Sequence, residues 1–443
     1  MLSLSYRTIL SVAVPLMGSS FIQSIVLLTD SSFLSRYDTL AFDASGNGGL
    51  IYITLFMVLA GLNEGTQILM ARRIGEEKES VLGSIFASSI VTNLFIALLL
   101  FMTIWLVVPE VIAQTVNSHE LGQLELSYLN TRSLGIIPSI ISLAILAYLT
   151  ASGRTAIIFL NALIVAITNI VLDYAFIFGN LGLPEMGLEG AALASSMADF
   201  VGLLVLVLIV FIIPRSRNSK KKLTDLNINF SRIKRVLVVG SPIMLQGLTA
   251  LLTWTIFFFW IEQMGIFELT VSQNIRSLYF LAFVPIWGFG ATTKTYVSQL
   301  MGKQDFESIS LVTKRIQLLT MLFLIAIFHG ALLYPEKLIE FINPNEEYLE
   351  TSATTLRFLF GSILLYGFGS SYFYTIAGSG NTRYSFVIEL ISVLLYLIFA
   401  YLFIKVLDWD IYSVWTVEYI YFGVICGLSV GYLRFFNWKK KQI

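Results

Sequence analysis

Twelve stretches of about 20 mainly apolar residues punctuate this 443-residue chain, near 8–35, 47–71, 80–108, 125–150, 155–179, 187–213, 236–261, 270–298, 316–334, 352–377, 384–406 and 412–433. Each is long enough to carry an α-helix across a hydrocarbon layer about 30 Å thick. With 56% hydrophobic residues, 13% charged residues and a mean hydropathy of +0.80, the chain lies outside the composition of soluble domains. The expected fold is an all-α membrane protein with twelve transmembrane helices in two pseudo-symmetric six-helix bundles.

That symmetry is written in the sequence. When Pro242 is laid on Pro15, the second half follows the first at one constant offset: Met244 falls on Met17, Tyr279 on Tyr52, Gly288 on Gly61, Gly302 on Gly75, Ser379 on Ser152, Gly380 on Gly153 and Thr382 on Thr155. A bias toward Leu and Ile would not hold one register through Pro, Gly and Tyr, so the chain is a duplication. Six spans per half return the chain to its starting side, which gives both halves one orientation about an axis along the membrane normal. The expected domains are an N-lobe over 1–213, a basic connector over 214–235 and a C-lobe over 236–443.

Lys and Arg are retained on the cytoplasmic side of a membrane, while Asp and Glu matter little to insertion. Arg7, Arg72, Arg73, Lys78, Arg154, Arg383, Arg434 and Lys439 to Lys441 collect on one side, together with Arg215, Arg217, Lys220 to Lys222, Arg232, Lys234 and Arg235 of the connector. Both termini are therefore expected in the cytoplasm, with the chain in the plasma membrane as a multi-pass protein. The run after Arg7 is a full span with Pro15 inside it and does not read as a cleavable leader. Cys426 is the single cysteine, which excludes an intramolecular disulfide.

Polar groups at membrane depth are costly unless paired or wetted, so they mark candidate sites. Asp30 in span 1 and Asp173 in span 5 each lie roughly 9 Å from the outer helix end, at a rise of about 1.5 Å per residue. Asn169 is one turn before Asp173, and Ser195 is one turn before Asp199 in span 6. Two acids, an amide and a hydroxyl suit a small hard cation, Na⁺ included, or a proton shared between carboxylates. At the repeat offset Asp30 meets Phe257, Asn169 meets Tyr396 and Asp173 meets Ala400, so the acids belong to one half only.

These residues carry a resemblance to the multidrug and toxic compound extrusion (MATE) transporters over nearly the whole chain. The segment with Pro15, Gln23 and Asp30 resembles the family's first helix. Gly61 through Arg73 and Gly75 resembles its second-helix exit, Asn169 to Asp173 its Asn-x-x-x-Asp motif, and Gly190 to Ser195 the start of helix six with Ser for Thr. Gly378 to Arg383 is similar to the turn after helix ten. In the NorM-like branch, a Glu in helix seven and an Asp in helix ten bind cations; the matching positions here are Ala250 and Tyr366. The pattern is closer to the DinF-like branch, whose coupling residues match Asp30, Asn169, Asp173 and Ser195. Asp199 stands where Gln is common and joins the candidate coupling set.

The resemblance implies a secondary antiporter that exports small organic compounds, cationic or amphipathic, in exchange for H⁺ or Na⁺, its lobes rocking about a central cleft. It implies no cofactor, no nucleic acid and no catalytic residue; one chain with both lobes needs no partner, so a monomer is expected. Glu64 and Lys294 at nearly equivalent repeat positions read either as an inner gate or as separately paired residues, and Gln23 and Tyr37 as gate or cavity residues. Glu389 reads as locally paired or facing the cleft. Phe257, Phe258, Phe259 and Trp260 read as packing toward lipid in preference to lining a drug cavity, His329 lacks metal-ligand companions, and Gly46, Asn47, Gly48 and Gly49 read as an extracellular turn. The alternative is a flippase for a lipid-linked saccharide or another lipid, which would hold pyrophosphate with basic residues; the N-lobe interior reads acidic instead. A membrane-embedded enzyme would need a nucleophile and base or a metal cluster, and only His119 and His329 exist.

Overall fold

A computed structural model describes residues 2–115, 118–212, 223 and 226–443. Arg215, Arg217 and Lys220 to Lys222 of the basic connector lie outside them. Among the described residues the chain is helical and contains no strand. The first half runs through α1 (Tyr6–Tyr37), α2 (Thr39–Gly75), α3 (Leu82–Leu106), α4 (His119–Ser133), α5 (Ile136–Ala151), α6 (Ala156–Phe178) and α7 (Gly187–Val207). The second runs through α8 (Phe230–Glu262), α9 (Ile266–Lys303), α10 (Phe306–Phe328), α11 (Glu346–Gly378), α12 (Thr382–Tyr401) and α13 (Val417–Phe435).

Ten spans are long and apolar enough to cross a bilayer unaided among the described residues, and α4 with α5 supplies an eleventh, bent by 50°. The twelfth is α11, whose 33 residues suffice in length while Glu346, Glu347, Glu350 and Arg357 make its sequence more polar. Span 4 breaks at Leu134 and Gly135. One expectation needs correction: Gly46 to Gly49 do not form a turn, because α2 runs through them. Asp38 caps that helix by accepting from the Ala41 amide at 2.8 Å. Asn47 finds a partner in Glu125 of α4 at 2.8 Å, and a Cβ on Gly48 would lie 2.9 Å from Tyr128. Gly48 permits close packing of α4, while a Cβ on Gly46 or Gly49 would meet nothing within 4 Å.

The duplication extends to backbone detail. Gly153 and Gly380, equivalent positions of the repeat, have φ of 73° and 87° in the turns after α5 and α11, a region that favours glycine.

Packing divides the chain into two compact units, Val14–Met244 and Met1–Ala13 with Leu245–Ile443. Both divisions fall beside the helix prolines, Pro15 in α1 and Pro242 in α8. Within the first unit the opening turns of α8 meet α2 at backbone contact: a Cβ on Gly61 would lie 2.6 Å from Met244 Cα, and one on Gly65 2.4 Å from Gly240 Cα. Gly61 and Gly65 form the small-xxx-small spacing that lets membrane helices approach. Within the second unit the N-terminal strip is tied down by Leu2 N donating to Gln299 Oε1 at 3.1 Å, Tyr296 Oη donating to Ser3 O at 2.8 Å and Arg315 Nη1 donating to Leu4 O at 2.5 Å. The core of that unit is aromatic, with Phe257, Tyr279, Tyr396, Trp415 and Phe422 among its buried residues.

Candidate functional site: a carboxylate pair in the first unit

Asp30 comes from α1, Asn169 and Asp173 from α6, and Ser195 from α7. Close approach of α6 and α7 assembles the last three: a Cβ on Gly190 would sit 2.8 Å from the Phe176 carbonyl. Asn169 and Asp173 are fully buried, at 1% and 0% exposure, and Asn169 Nδ2 donates to Ser195 Oγ at 3.2 Å. The Asp30 and Asp173 carboxyl groups face each other at hydrogen-bond reach. Asp30 Oδ1, both Asp173 oxygens and Asn169 Oδ1 are buried and accept no hydrogen bond among the described residues.

Such an arrangement calls for a positive charge. Two carboxylates about 4 Å apart repel by about 4 kcal/mol at an effective dielectric constant of about 20, and each buried charge loses its hydration besides. One proton between the acids relieves the repulsion and lets one oxygen donate to the other. A small cation does the same and collects the Asn169 oxygen as a ligand, since oxygen donors suit hard cations.

Asp199 does not join this pair. Its Oδ2 lies 2.8 Å from Arg132 Nη1 and accepts from Ser139 Oγ at 2.9 Å. The Arg132 guanidinium covers the Tyr52 ring at 4.4 Å, and its charge also acts on Asp30. Gly135 makes the room: a Cβ there would be 2.3 Å from Arg132 Nη1 and 3.1 Å from Asp199 Oδ2. The N-lobe interior therefore holds a base as well as acids, which corrects the wholly acidic reading. Arg132 sits in the polar stretch before the break in span 4, and its one sequence signal was a charge within an expected span.

Gln23 is exposed on α1 and Glu64 is half-buried on α2. Tyr37 ends α1 with its ring 6.2 Å from Phe178 and its hydroxyl toward Glu185. Lys294 is buried on α9, its Nζ 5.3 Å from the centre of the Tyr374 ring. His329 shares a 2.8 Å hydrogen bond with the Tyr334 hydroxyl.

The second unit replaces the carboxylate pair with a different polar network. Phe257, at the Asp30 position of the repeat, is fully buried against Tyr396 and Trp415, with ring centres 5.3 and 5.4 Å away. It belongs to the core, while Phe259 is exposed at 57%. Tyr396, at the Asn169 position, donates to Glu418 Oε1 at 3.0 Å, and Tyr279, at the Tyr52 position, donates to Oε2 at 2.9 Å. Glu389 accepts from Tyr421 at 2.5 Å. Glu418 was missed because it opens α13, where an acid reads as belonging to the outer face. Tyr366 stacks on Phe422 at 4.4 Å.

An all-helical chain with an internal repeat and spans long enough to cross a bilayer has the architecture of the two-repeat membrane transporters. Its family can be stated. The MatE family model matches residues 15–175 and again 242–402, so that the second match begins and ends at the repeat equivalents of the first, and the chain belongs to that family. It is 24% identical over 405 residues to a probable multidrug resistance protein NorM of Thermotoga maritima, covering 87% of this chain and 83% of the relative. It is 28% identical over 256 residues to a protein of the same description in Listeria monocytogenes, covering 57% of this chain and 55% of that one. The fold matches an outward-facing multidrug resistance MATE family transporter of the MOP superfamily with a TM-score of 0.89 at 20% identity, over 98% of this chain and 97% of that one. A MOP superfamily transporter from Pyrococcus furiosus, described as having a binding pocket of reverse polarity, matches with a TM-score of 0.86 at 20% identity over the same shares.

Proposed function

We propose that this protein is a secondary active exporter in which Asp30 and Asp173 take up H⁺ or Na⁺ from outside the cell and drive release of a small organic compound by alternating access. The observation that carries the reading is the pair of buried carboxyl groups in which Asp30 Oδ1 and both Asp173 oxygens receive no donor among the described residues. Family membership and relatives described as multidrug resistance proteins support it. Asn169 and Ser195 complete the proposed coupling set, and their match to the DinF-like pattern supports a reading nearer that branch, as do Ala250 and Tyr366, where NorM-like proteins carry acids. Asp199 acts on the set through Arg132 and is not a ligand. The exporter works as a monomer in the plasma membrane with both termini in the cytoplasm.

The energetics suffice. Each positive charge moving inward gains about 2.3 kcal/mol per 100 mV, and each pH unit adds about 1.4 kcal/mol for a proton. A lipid-flippase reading would draw on Arg132 to hold pyrophosphate, yet Asp199 already neutralises that guanidinium. The decisive experiment compares wild type and Asp30→Asn in liposomes under a Na⁺ gradient and, separately, a pH gradient. The variant lacks the incentive of about 4 kcal/mol to hold a cation, equivalent to about a thousandfold in affinity, and gradient-driven efflux is expected to vanish while insertion and folding persist. Undiminished efflux in the variant would end the proposal.

A further inference from the structure

Where α2 ends and α8 begins, the first unit carries a half-open cleft of about 160 Å³. Arg73 and Lys78 line it from the end of α2 and the loop beyond, Arg232 and Arg235 from the first turns of α8. Leu69, Val81 and Ile85 supply an apolar wall. Glu76 attends this cluster, its Oε2 lying 2.6 Å from Arg73 Nη1 and 3.3 Å from Lys78 Nζ. No ion pair engages Arg232 or Arg235 among the described residues. The four lining cations outnumber the Glu76 carboxylate on the wall, with Glu77 and Glu79 on either side of Lys78, and lie on the side that the distribution of Lys and Arg assigns to the cytoplasm.

We propose that this cleft binds the phosphate headgroup of an anionic phospholipid from the cytoplasmic leaflet. Retention of basic residues inside the cell explains cations at helix ends, but not why two distant segments converge them on one concave wall. A phosphodiester satisfies the arginines with paired N–H donors, and the apolar wall of Leu69, Val81 and Ile85 receives the first methylenes of its acyl chains. A free phosphate would use the cations and leave the apolar wall without a role. Basic pockets between membrane helices on this side are the usual setting for such lipids. The bound headgroup would join the start of α8 to the end of α2, extending the backbone contact of Gly61 and Gly65 with Met244 and Gly240.

The test uses the full chain purified in neutral detergent, with phosphatidylglycerol or phosphatidylcholine added, read by native mass spectrometry and by thermal unfolding. Phosphatidylglycerol should be retained and should raise the melting temperature, and phosphatidylcholine should do neither. In Arg232→Gln/Arg235→Gln, retention should fall about 30-fold, from about 1 kcal/mol per basic residue. Arg232→Lys/Arg235→Lys should keep most of it, and Lys439→Gln/Lys440→Gln, an equal change of charge elsewhere, should bind as wild type. Equal retention by the Gln variant and wild type would overturn the proposal. So would equal retention of the two lipids, or an equal melting shift with inorganic phosphate alone, which would make the site one for soluble phosphate. Thermal unfolding without lipid identifies a Gln variant that has failed to fold, and the Lys variant then carries the test: loss of its phosphatidylglycerol preference would overturn the assignment.

Discussion

Replacing Arg132 with Gln strips Asp199 of its counter-charge inside the first unit. The pair is 2.8 Å apart with side chains 15% and 22% exposed. Breaking a fully buried pair by removing one partner costs about 3–5 kcal/mol; the partial exposure of Asp199 lowers this to about 2 kcal/mol, and loss of the guanidinium over Tyr52 adds about 1 kcal/mol. A total of about 3 kcal/mol corresponds to a melting shift of about 6–12 °C in a body the size of the first unit. Asp199→Asn costs less, because Arg132 keeps the Tyr52 face and Ser139 keeps an acceptor. In Arg132→Gln/Asp199→Asn no charge is stranded, so the double variant should be more stable than Arg132→Gln alone by about 2 kcal/mol. Intrinsic-fluorescence melting of the four proteins in one detergent closes the cycle. Purely additive losses would show that the two side chains do not stabilise each other, and the assignment of Asp199 to Arg132 would fall.

Gly65→Ala should destabilise by about 1–3 kcal/mol, since its Cβ meets the Gly240 backbone, whereas Gly247→Ala, whose Cβ meets nothing within 4 Å, should be neutral or stabilising; equal melting shifts would refute the contact. Glu418→Gln can accept from one tyrosine hydroxyl through its Oε1 and donate its Nε2–H to the hydroxyl oxygen of the other, and should cost about 1 kcal/mol, while Glu418→Leu strands two buried hydroxyls at about 1–3 kcal/mol each, a contrast that thermal unfolding would reveal. At Glu76 burial works to raise the carboxyl's pKa, but Arg73 and Lys78 prevail and hold it below the ordinary value of 4.5. Its stabilisation is therefore complete above about pH 4.5 and lost as pH falls through the lowered value. The melting advantage of wild type over Glu76→Gln should be constant near neutrality and fade in acid; an advantage that grew in acid would contradict the sign.

The spans and the duplication were legible because hydrocarbon imposes a length and a repeat imposes a register, and neither depends on side-chain placement. Asp30, Asn169 and Asp173 were legible for a related reason: a polar residue inside an apolar run has few alternatives to a partner. What escaped the sequence lay where runs were already polar. Arg132 stands just before Gly135, and the sharp bend between α4 and α5, not hydropathy, decides that its guanidinium turns inward to Asp199. Glu418 opens a helix, the position of an ordinary surface acid, and becomes internal because Tyr279 and Tyr396 come from two other helices to meet it. Gly46 to Gly49 had the composition of a reversal, and only the proximity of Tyr128 and Glu125 reveals glycine serving contact within a continuous helix.

The assignment of residues 1–13 to the second unit has a consequence for biogenesis. During synthesis the partners of this short strip, Gln299, Tyr296 and Arg315, do not yet exist, whereas every residue of the first unit has been made once Met244 is added. At about 5–20 residues per second, the ribosome needs roughly 15–60 s to travel from Leu2 to Gln299. For that interval the strip lacks these partners, and its docking can begin only after they have been made.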